Sequence, residues 1–428
     1  MQVIKNGGMP IICQLFSFIP DELIKKAIDK FEADKRYKTL KTKTQMIAML
    51  FGIIGKVESL NGILKGLVFL GNKLSYLGLT ELPARSTLAD ANRNRNCGVF
   101  KYLYELLVAY YKEVLSGSYL TGHIGKEVNI NKVKLFDSTT FTLFVDVFTG
   151  AGRNKISGKK KGGIKAHVML SLHSLVPEMV WMSSASKNDK DFLGQLNPKK
   201  GEVYIFDKGY VNYTAYDNFT EKEAFYVTRI SENAVFNVDS EAEIDYLESQ
   251  TTGVWKDQII SLKVGEKIMK ARLVTFKSAI KGKVFRFITN MFEVQATTVA
   301  KLYKNRWEIE PFFKQLKQNF ELKAFYSDSR EGIQTQIWLA LIANLIFTVI
   351  HRQIKQTEAF TTMVQMARVN LGSFASYIEV LKKRFFRKLN RDIEIIQLNL
   401  FQKTDGGVFE NLKKQAFNDK MAMVNAYF

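Results

Sequence analysis

The fold of this chain is decided by the stretch Val133-Lys134-Leu135-Phe136-Asp137-Ser138-Thr139-Thr140, in which an apolar run leads directly into an acid. A second short apolar run, residues 203–206, also ends on an acid, Asp207. Short apolar runs of this kind are typical of strands buried on both faces of a parallel sheet. Parallel strands carry their functional site at their carboxyl ends, so both aspartates are expected at one edge of a sheet.

The segments around these two strands predict a particular order of elements. Further strands and helices are expected, in chain order, as strands 164–172 and 179–182, helix 189–193, helix 213–219 and strand 225–228. Three strands, a helix, a strand, a helix and a strand is the order of the ribonuclease H-like α/β fold. The sequence therefore predicts a ribonuclease H-like catalytic domain over residues 126–345.

The rest of the chain differs from this domain in its pattern. Residues 1–125 and 346–428 show helical periodicity, and they are predicted to be an N-terminal helical DNA-binding domain and a C-terminal helical region. Residues 229–293 are predicted to be a β-rich insertion that does not join the main sheet, with strands at 234–236, 258–262, 271–276 and 284–288. A single long helix is expected from residue 297 through 320, loosened at Pro311 because proline removes a backbone hydrogen bond.

The charge of the chain points to a polyanionic partner. It has 62 Lys and Arg residues against 42 Asp and Glu residues, a net charge of +20. A membrane surface would also attract this charge, but the longest apolar run, residues 338–350, is shorter than the roughly 18 residues that span a bilayer. That run is predicted to be a buried core helix, and the protein to be soluble and intracellular. Two cysteines and four scattered histidines provide neither a disulfide framework nor a zinc motif.

One segment of the long predicted helix combines an acid with groups that bind phosphate. On a helix turning about 100° per residue, Tyr303, Arg306, Glu310 and Lys317 share a stripe about 60° wide, beside an apolar face. An amphipathic helix with a solvated charged face would explain this periodicity. It would not explain why one carboxylate stands beside two cations and a phenol.

These residues carry a family resemblance. The pattern Tyr-x2-Arg-x3-Glu-x6-Lys resembles the signature around the catalytic Glu of DDE transposases of bacterial insertion sequences, in insertion-sequence family four. The segment Asp207-Lys208-Gly209-Tyr210 is similar to the second-aspartate motif of that family, commonly Asp-Arg-Gly-Tyr, and Leu135-Phe136-Asp137-Ser138-Thr139 resembles its first-aspartate strand. The resemblance covers roughly residues 35–345. It implies an enzyme that binds terminal inverted repeats, cleaves the transposon ends through a hairpin intermediate and joins the 3′-hydroxyl ends to target DNA.

The resemblance also implies a metal centre built from Asp137, Asp207 and Glu310. Two magnesium ions about 4 Å apart, which manganese can replace, would clamp the scissile phosphate, one activating the attacking oxygen and the other stabilising the leaving oxygen. Such hard cations are held by carboxylates rather than by His or Cys. Asp137 is expected to bridge both ions. Three rival acids, Asp146, Asp189 and Asp191, do not end an apolar strand, and the last two are expected to cap or flank a helix.

Several residues are expected to contact DNA. Tyr303, Arg306 and Lys317 would bind phosphates beside the cut. A helix predicted to be N-capped by Ser86 would present basic residues as in a helix-turn-helix, or would be a solvated basic helix end. Trp255 is either a platform for an extruded base or a residue packed in the insertion. The remaining predicted DNA contacts are Lys159, Lys160, Lys161, Lys165, Arg85, Arg93 and Arg95.

Three more residues, His167, Lys208 and Tyr210, are expected behind the metal ligands, although His167 is equally well explained as a simply buried residue. Double-stranded DNA is the expected partner, with a homodimer in the DNA complex, at the nucleoid of the bacterial cytoplasm. A silent, domesticated transposase acting as a DNA-binding regulator is the alternative, and the presence of all three acids and all four signature residues argues against it. A junction-resolving nuclease of the same fold would not need the added helical regions.

Overall fold

The computed structural model describes residues 8–35, 37–79, 81–116, 127–143, 149–153, 160–185, 187–278, 282–355 and 358–382, with backbone alone at 142–143, 149–153 and 160–162. The elements below belong to one compact unit, Met1–Tyr377. Residues Ile378–Phe428 are a second unit. The prediction of a helical region reaching residue 428 therefore falls largely outside the described residues.

The helices of the described chain fall into two groups, those at its two ends and those that cover the sheet. The first group is α1 (Ile11–Phe16), α2 (Asp21–Phe31), α3 (Thr42–Gly55), α4 (Leu60–Leu70), α5 (Arg85–Asn94), α6 (Gly98–Tyr110), α7 (Lys112–Leu115), α13 (Arg330–Gln353) and α14 (Phe360–Val369). The second group is α8 (Lys190–Leu193), α9 (Tyr213–Glu221), α10 (Tyr246–Thr252), α11 (Ala296–Lys304) and α12 (Ile309–Asn319). Short 3₁₀ helices occur at Gly71–Leu77, Ile130–Lys132, Lys208–Tyr210 and Asn305–Glu308.

Helix α13 is the centre of the helical part of the fold. It packs against α3, α5, α6, α7 and α14. Apolar residues lie on all sides of this helix and are buried by these neighbours, as is expected for a helix that is hydrophobic all round. It is long and apolar enough to cross a membrane, but 89% of its most apolar window is buried inside the protein. The predicted core helix at 338–350 is confirmed. The predicted domain boundary between residues 345 and 346 falls inside this helix.

The N-terminal helices are hydrogen-bonded to segments much later in the chain, beyond the last predicted catalytic acid. The backbone amides of Ile11 and Ile12 donate to the carbonyls of Ser373 and Leu371, and the Glu321 amide donates to the Ile53 carbonyl. The described residues from Ile11 to Leu115 contain helices and no strand, as predicted. Their core, however, is completed by α13, because these short helices need an apolar partner to bury their inner faces.

The strands form one mixed sheet. They are β1 (Val133–Leu143), β2 (Thr149–Arg153), β3 (Lys160–Ser171), β4 (Pro177–Ser184), β5 (Val203–Phe206), β6 (Phe225–Arg229), β7 (Asn237–Glu241), β8 (Val254–Val264), β9 (Lys267–Lys277) and β10 (Val284–Thr289). Their order is β2-β3-β1-β5-β6-β10-β9-β8-β7, with β4 beside β3, and β1, β5 and β6 run parallel. The predicted order of strands and helices through β6 is confirmed, with β2 as an added hairpin strand.

The β-rich segment after β6 was predicted to lie outside the sheet, and that prediction is wrong. Strand β10 pairs antiparallel with β6, and β9, β8 and β7 follow it, so the segment extends the same sheet. The free hydrogen-bonding edge of β6 explains this outcome, because an unpaired strand edge is readily extended by further pairing. Residues 234–236 precede a strand rather than forming one.

The prediction of a single long helix from residue 297 through 320 is also wrong. The segment is three pieces, α11, the 3₁₀ segment Asn305–Glu308 and α12. Pro311 is the third residue of α12, in the first turn, where backbone N–H groups have no partner within the helix. The proline therefore starts a helix instead of loosening one.

Candidate active site

Two of the predicted acids lie side by side where parallel strands end. The ladder between β1 and β5 stops at the pair Phe136 and Phe206, and each of these residues is followed by an aspartate. Both phenylalanines are buried in the core on the face covered by α8 and α9. Because side chains alternate along a strand, Asp137 and Asp207 point to the opposite face, toward α11 and α12.

The acids are gathered around two guanidinium groups and a phenol. Arg306, buried with only 8% of its side chain exposed, donates to Asp137 Oδ2 at 2.9 Å and to Glu310 Oε1 at 3.4 Å. Asp207 Oδ1 accepts from Arg229 at 2.8 Å and from the Tyr303 hydroxyl at 3.0 Å. The structure thus brings all three predicted carboxylates to one place, with Glu310 the most exposed at 57%.

The two aspartates have opposite pKa shifts. Burial raises the pKa of Asp137 above its ordinary value, and the negative charges of Asp207 and Glu310 add to this while Arg306 opposes it. Burial acts in the same direction on Asp207, but hydrogen bonds from Arg229 and from the Lys208 backbone outweigh it and the pKa is lowered. Burial, together with Asp207, raises the pKa of Tyr303 to about 12, so this phenol keeps its proton and donates it.

The donor set suits a hard divalent cation by its chemistry. Carboxylate oxygens are the ligands that magnesium prefers, and three carboxylates are present here. Within the described ranges, no group of three Asp, Glu, His or Cys side chains is already arranged to hold an ion. The oxygens of Asp137 and Glu310 are instead engaged by Arg306, so a cation would have to take the place of that guanidinium.

The fourth signature residue, Lys317, lies two turns beyond Glu310 on α12. Its ammonium donates to the Thr140 carbonyl at 2.9 Å and lies 5.2 Å from the centre of the Phe141 ring, and its burial lowers its pKa. Tyr303, Arg306 and Lys317 therefore reach β1 or the residue that follows β5, and Glu310 is linked to them through Arg306, although the helix is broken between them. Lys314, on the same helix, is exposed.

His167 and Tyr210 lie behind the sheet edge, on the face of α8. His167 is fully buried between the Tyr210 hydroxyl at 3.2 Å and the Ser183 hydroxyl at 3.2 Å, with its ring stacked on Phe192. Burial lowers the pKa of His167 to about 4, which keeps it neutral. Lys208 points to solvent and pairs with Glu232 at 3.3 Å.

The lysines and the tryptophan predicted to contact DNA differ in how exposed they are and in whether the structure describes them. Lys159 is outside the described residues, and so are the side chains of Lys160 and Lys161, although the backbone there forms a hairpin of β2 with β3. Lys165 is engaged, donating to Asp189 at 3.1 Å and to the Lys187 carbonyl at 3.2 Å. Trp255 is at a register shift in β8 and is 38% exposed, with the Lys277 ammonium 4.7 Å from its ring centre.

Of the three arginines predicted to contact DNA in and directly after α5, two are exposed and one is buried. Arg85 and Arg93 are exposed, and Arg93 pairs with Asp328 at 3.1 Å. Arg95 is only 2% exposed, so the prediction that it contacts DNA is wrong: it donates to the carbonyls of Ala33 and Leu40 and to the Gln45 side chain. Ser86 was predicted to be the N-cap, but α5 begins at Arg85.

Two residues near the site have contacts that the sequence did not predict: Arg229, for which no role is expected, and Asp189, which is expected only to cap or flank a helix and does directly precede α8. Arg229 ends β6, the third parallel strand, so the strand-end argument that found Asp137 and Asp207 could have found it too. Asp189 accepts from Ser138 Oγ at 3.2 Å as well as from Lys165. Of the other rival acids, Asp191 is exposed and Asp146 is outside the described residues.

Comparison with known proteins gives a consistent set of relatives. Residues 131–346, just over half of the chain, match the family described as "Transposase DDE domain", and residues 7–80 match a domain of unknown function (DUF4372). A Sinorhizobium fredii protein named as a transposase is 29% identical over 273 residues, covering 63% of this chain and 72% of that protein. A Geobacillus stearothermophilus protein named as a transposase for an insertion sequence element is 25% identical over 243 residues, covering 55% of this chain and 61% of that protein. A cryo-EM structure of a piggyBac transposase synaptic complex with hairpin DNA matches 91% of this chain and 86% of its own, with a TM-score of 0.42 and 12% identity.

Proposed function

This chain belongs to the DDE transposases of bacterial insertion sequences, enzymes that cleave DNA and transfer strands, and we propose that Asp137, Asp207 and Glu310 are its catalytic carboxylates. One observation carries the assignment. Acids from two adjacent strand ends and one helix meet around Arg306, Arg229 and Tyr303, although Asp137 and Glu310 are far apart in the chain. The resemblance to insertion-sequence family four fits the matched domain.

The three carboxylates would hold two magnesium ions. When bound, the ions supply activation of the attacking oxygen and stabilisation of the leaving oxygen. The protein supplies positioning: Asp137 and Asp207 are fixed by the ends of a buried sheet, and Glu310 by the first turn of α12. Charge in this pocket is nearly balanced by Arg306 and Arg229, which allows acids to be half-buried together.

Arg306 has a second task in this proposal. A phosphate offers a guanidinium the same planar, two-point pairing as a carboxylate, so a DNA strand at the site would compete with Asp137 and Glu310 for its donors. Lys317 stands on the same helix as a point charge for a neighbouring phosphate. Binding of the DNA end would thus draw the Arg306 guanidinium away from Asp137 and Glu310, which would leave these carboxylates free to bind the metal ions.

The wider DNA contact would involve the exposed parts of the chain. Arg85 and Arg93 on α5 and the basic β2–β3 hairpin would bind the transposon end. Trp255 would stack on an extruded base, since its indole is partly exposed at a register shift in β8. The DNA complex would be a homodimer, working at the bacterial nucleoid in the cytoplasm. The regulator alternative is not favoured, because the acids and the whole signature are present.

The hairpin step of the proposal has a direct test. The full chain, incubated with DNA of the element's terminal repeat and magnesium, is expected to nick one strand and then convert the end into a hairpin. On a denaturing gel the hairpin runs as one strand whose length is the sum of both strands. Double-strand cleavage without this species would contradict the hairpin and remove the stacking role of Trp255.

Replacing the exposed arginines of α5 is expected to weaken binding to end DNA. Each of Arg85→Ala and Arg93→Ala removes one cation from the surface, so the slope of log affinity against log salt should fall by about one. Filter binding of the full chain over a salt series measures both quantities. Arg95→Ala is the contrasting variant: it should lower the melting temperature and leave the salt slope unchanged. An unchanged slope in both α5 variants would move DNA recognition away from this helix.

A further inference from the structure

From Asp137 onward, the strand β1 is paired with another strand on one side only. Its parallel neighbour β5 ends at Phe206, opposite Phe136, so the ladder to β5 stops one residue before the acid. Beyond that point the backbone of β1 pairs with β3, with Ser138 opposite His167 and Thr140 opposite Lys165. The direction of Asp137 therefore depends on side-chain contacts as well as on the sheet.

One carboxylate supplies such contacts from the face opposite Arg306. Asp189, which directly precedes α8, accepts from Ser138 Oγ at 3.2 Å and from Lys165 Nζ at 3.1 Å, and its Oδ1 lies 3.6 Å from His167 Nδ1. Its side chain is 26% exposed and that of Lys165 15%. The single acid thus links α8 to β1 and β3, next to the first catalytic aspartate.

The side chains next to this acid are buried and packed against one another. His167 is stacked on Phe192 of α8 and hydrogen-bonded to Ser183 of β4 and to Tyr210, the last residue of the 3₁₀ segment that follows Asp207. Helix α8 is only one turn long, so its position depends on these contacts more than on its own hydrogen bonds. Through Asp189 and His167, Ser138, which follows Asp137, is connected to Tyr210, which ends the segment that follows Asp207.

We propose that Asp189 is a positioning residue for Asp137, acting through Ser138 and Lys165, and this rests on the proposed role of Asp137 as a metal ligand. Asp189 touches neither substrate nor metal in this proposal. Partners that orient a metal ligand from behind alter metal affinity by about 10- to 100-fold when they are replaced. The expected signature is therefore weaker metal binding with unchanged binding of DNA.

The test uses the full chain bound to terminal-repeat DNA, with manganese(II) as the probe. Free manganese is measured by electron paramagnetic resonance, and magnesium-dependent nicking is titrated in parallel. Asp189→Asn is expected to raise the half-saturating manganese concentration by about tenfold, with DNA binding in chelator unchanged. Asp191→Asn, two residues away and exposed, is the matched control and should behave as the wild type.

Asp189→Asn removes the negative charge that pairs with Lys165 and could lower stability, so two further variants keep the test decisive. Ser138→Ala breaks one contact and spares the Asp189–Lys165 pair, and it should raise the half-saturating concentration as well. The double variant should be no worse than Asp189→Asn, because both changes remove one linkage. A wild-type manganese affinity in Ser138→Ala, or additive effects in the double variant, would overturn the proposal.

Asp137→Asn, measured alongside, separates this inference from the proposed function. If Asp137→Asn binds manganese as the wild type does, the proposed ligand set fails, whatever Asp189 does. If Asp137→Asn loses manganese while Asp189→Asn keeps it, only the positioning role of Asp189 is overturned.

Discussion

Replacing any one of Asp137, Asp207 and Glu310 with alanine is expected to reduce strand cleavage by about a thousandfold or more, because each removal leaves the metal centre incomplete. Binding of end DNA in chelator should be kept, since loss of a negative charge does not weaken attraction to phosphate. Nicking of end-labelled terminal-repeat DNA in magnesium, together with a gel shift in chelator, measures both properties.

The control for these variants is Glu266→Ala, an exposed acid in the turn between β8 and β9. It removes the same charge far from the carboxyl ends of β1 and β5, and it should leave nicking at the wild-type rate. A carboxylate variant that nicks as fast as Glu266→Ala would not belong to the site. Glu310 is the most demanding case, because its side chain is exposed and, within the described part of the chain, its hydrogen bond is the long one from Arg306.

The second large effect is expected at Arg306. Arg306→Ala should slow the chemical step by about 100- to 1000-fold, the usual loss when one preorganised donor to a developing charge is removed. Lys317→Ala should slow it by a smaller factor, since a lysine offers only a point charge. The rates are measured on pre-nicked ends at saturating protein, so that a loss of affinity does not enter.

Lys314→Ala is the matched control on α12, because Lys314 is exposed while Lys317 faces Thr140 and Phe141. It should keep a rate close to that of the wild type. Arg306→Lys should stay defective, because a lysine keeps the charge but cannot pair at two points. Equal defects in Arg306→Ala, Lys317→Ala and Lys314→Ala would mean that a general positive surface, and not a site, was removed.

The parts of the site that the sequence predicted are those set by local pattern. A short apolar strand that ends on an acid already fixes the edge at which Asp137 and Asp207 must lie. The four signature residues were found by spacing, and three of them contact the strands or the acids that follow them, while Glu310 pairs with Arg306. Both predictions use only residues that are near one another in the sequence, and neither requires knowing which distant residue each side chain contacts.

The parts that the sequence did not predict depend on pairing between distant residues. The break at Asn305–Glu308 coincides with the contacts of Tyr303 and Arg306 to Asp207 and Asp137, which lie in other elements. The segment after β6 joined the main sheet because β10 returns to pair with β6. Arg95 is buried because carbonyls from the loop before α3 and from the residues after α2 surround its guanidinium.

The measurement that tests the central claim most directly is the location of manganese in a crystal of the full chain with terminal-repeat DNA. Anomalous scattering should place manganese against the carboxylates of Asp137 and Asp207, with Glu310 as a ligand and with Arg306 turned from Asp137 to a DNA phosphate. Manganese bound elsewhere, or Arg306 still paired with Asp137 and Glu310 in a complex competent for cleavage, would contradict the account.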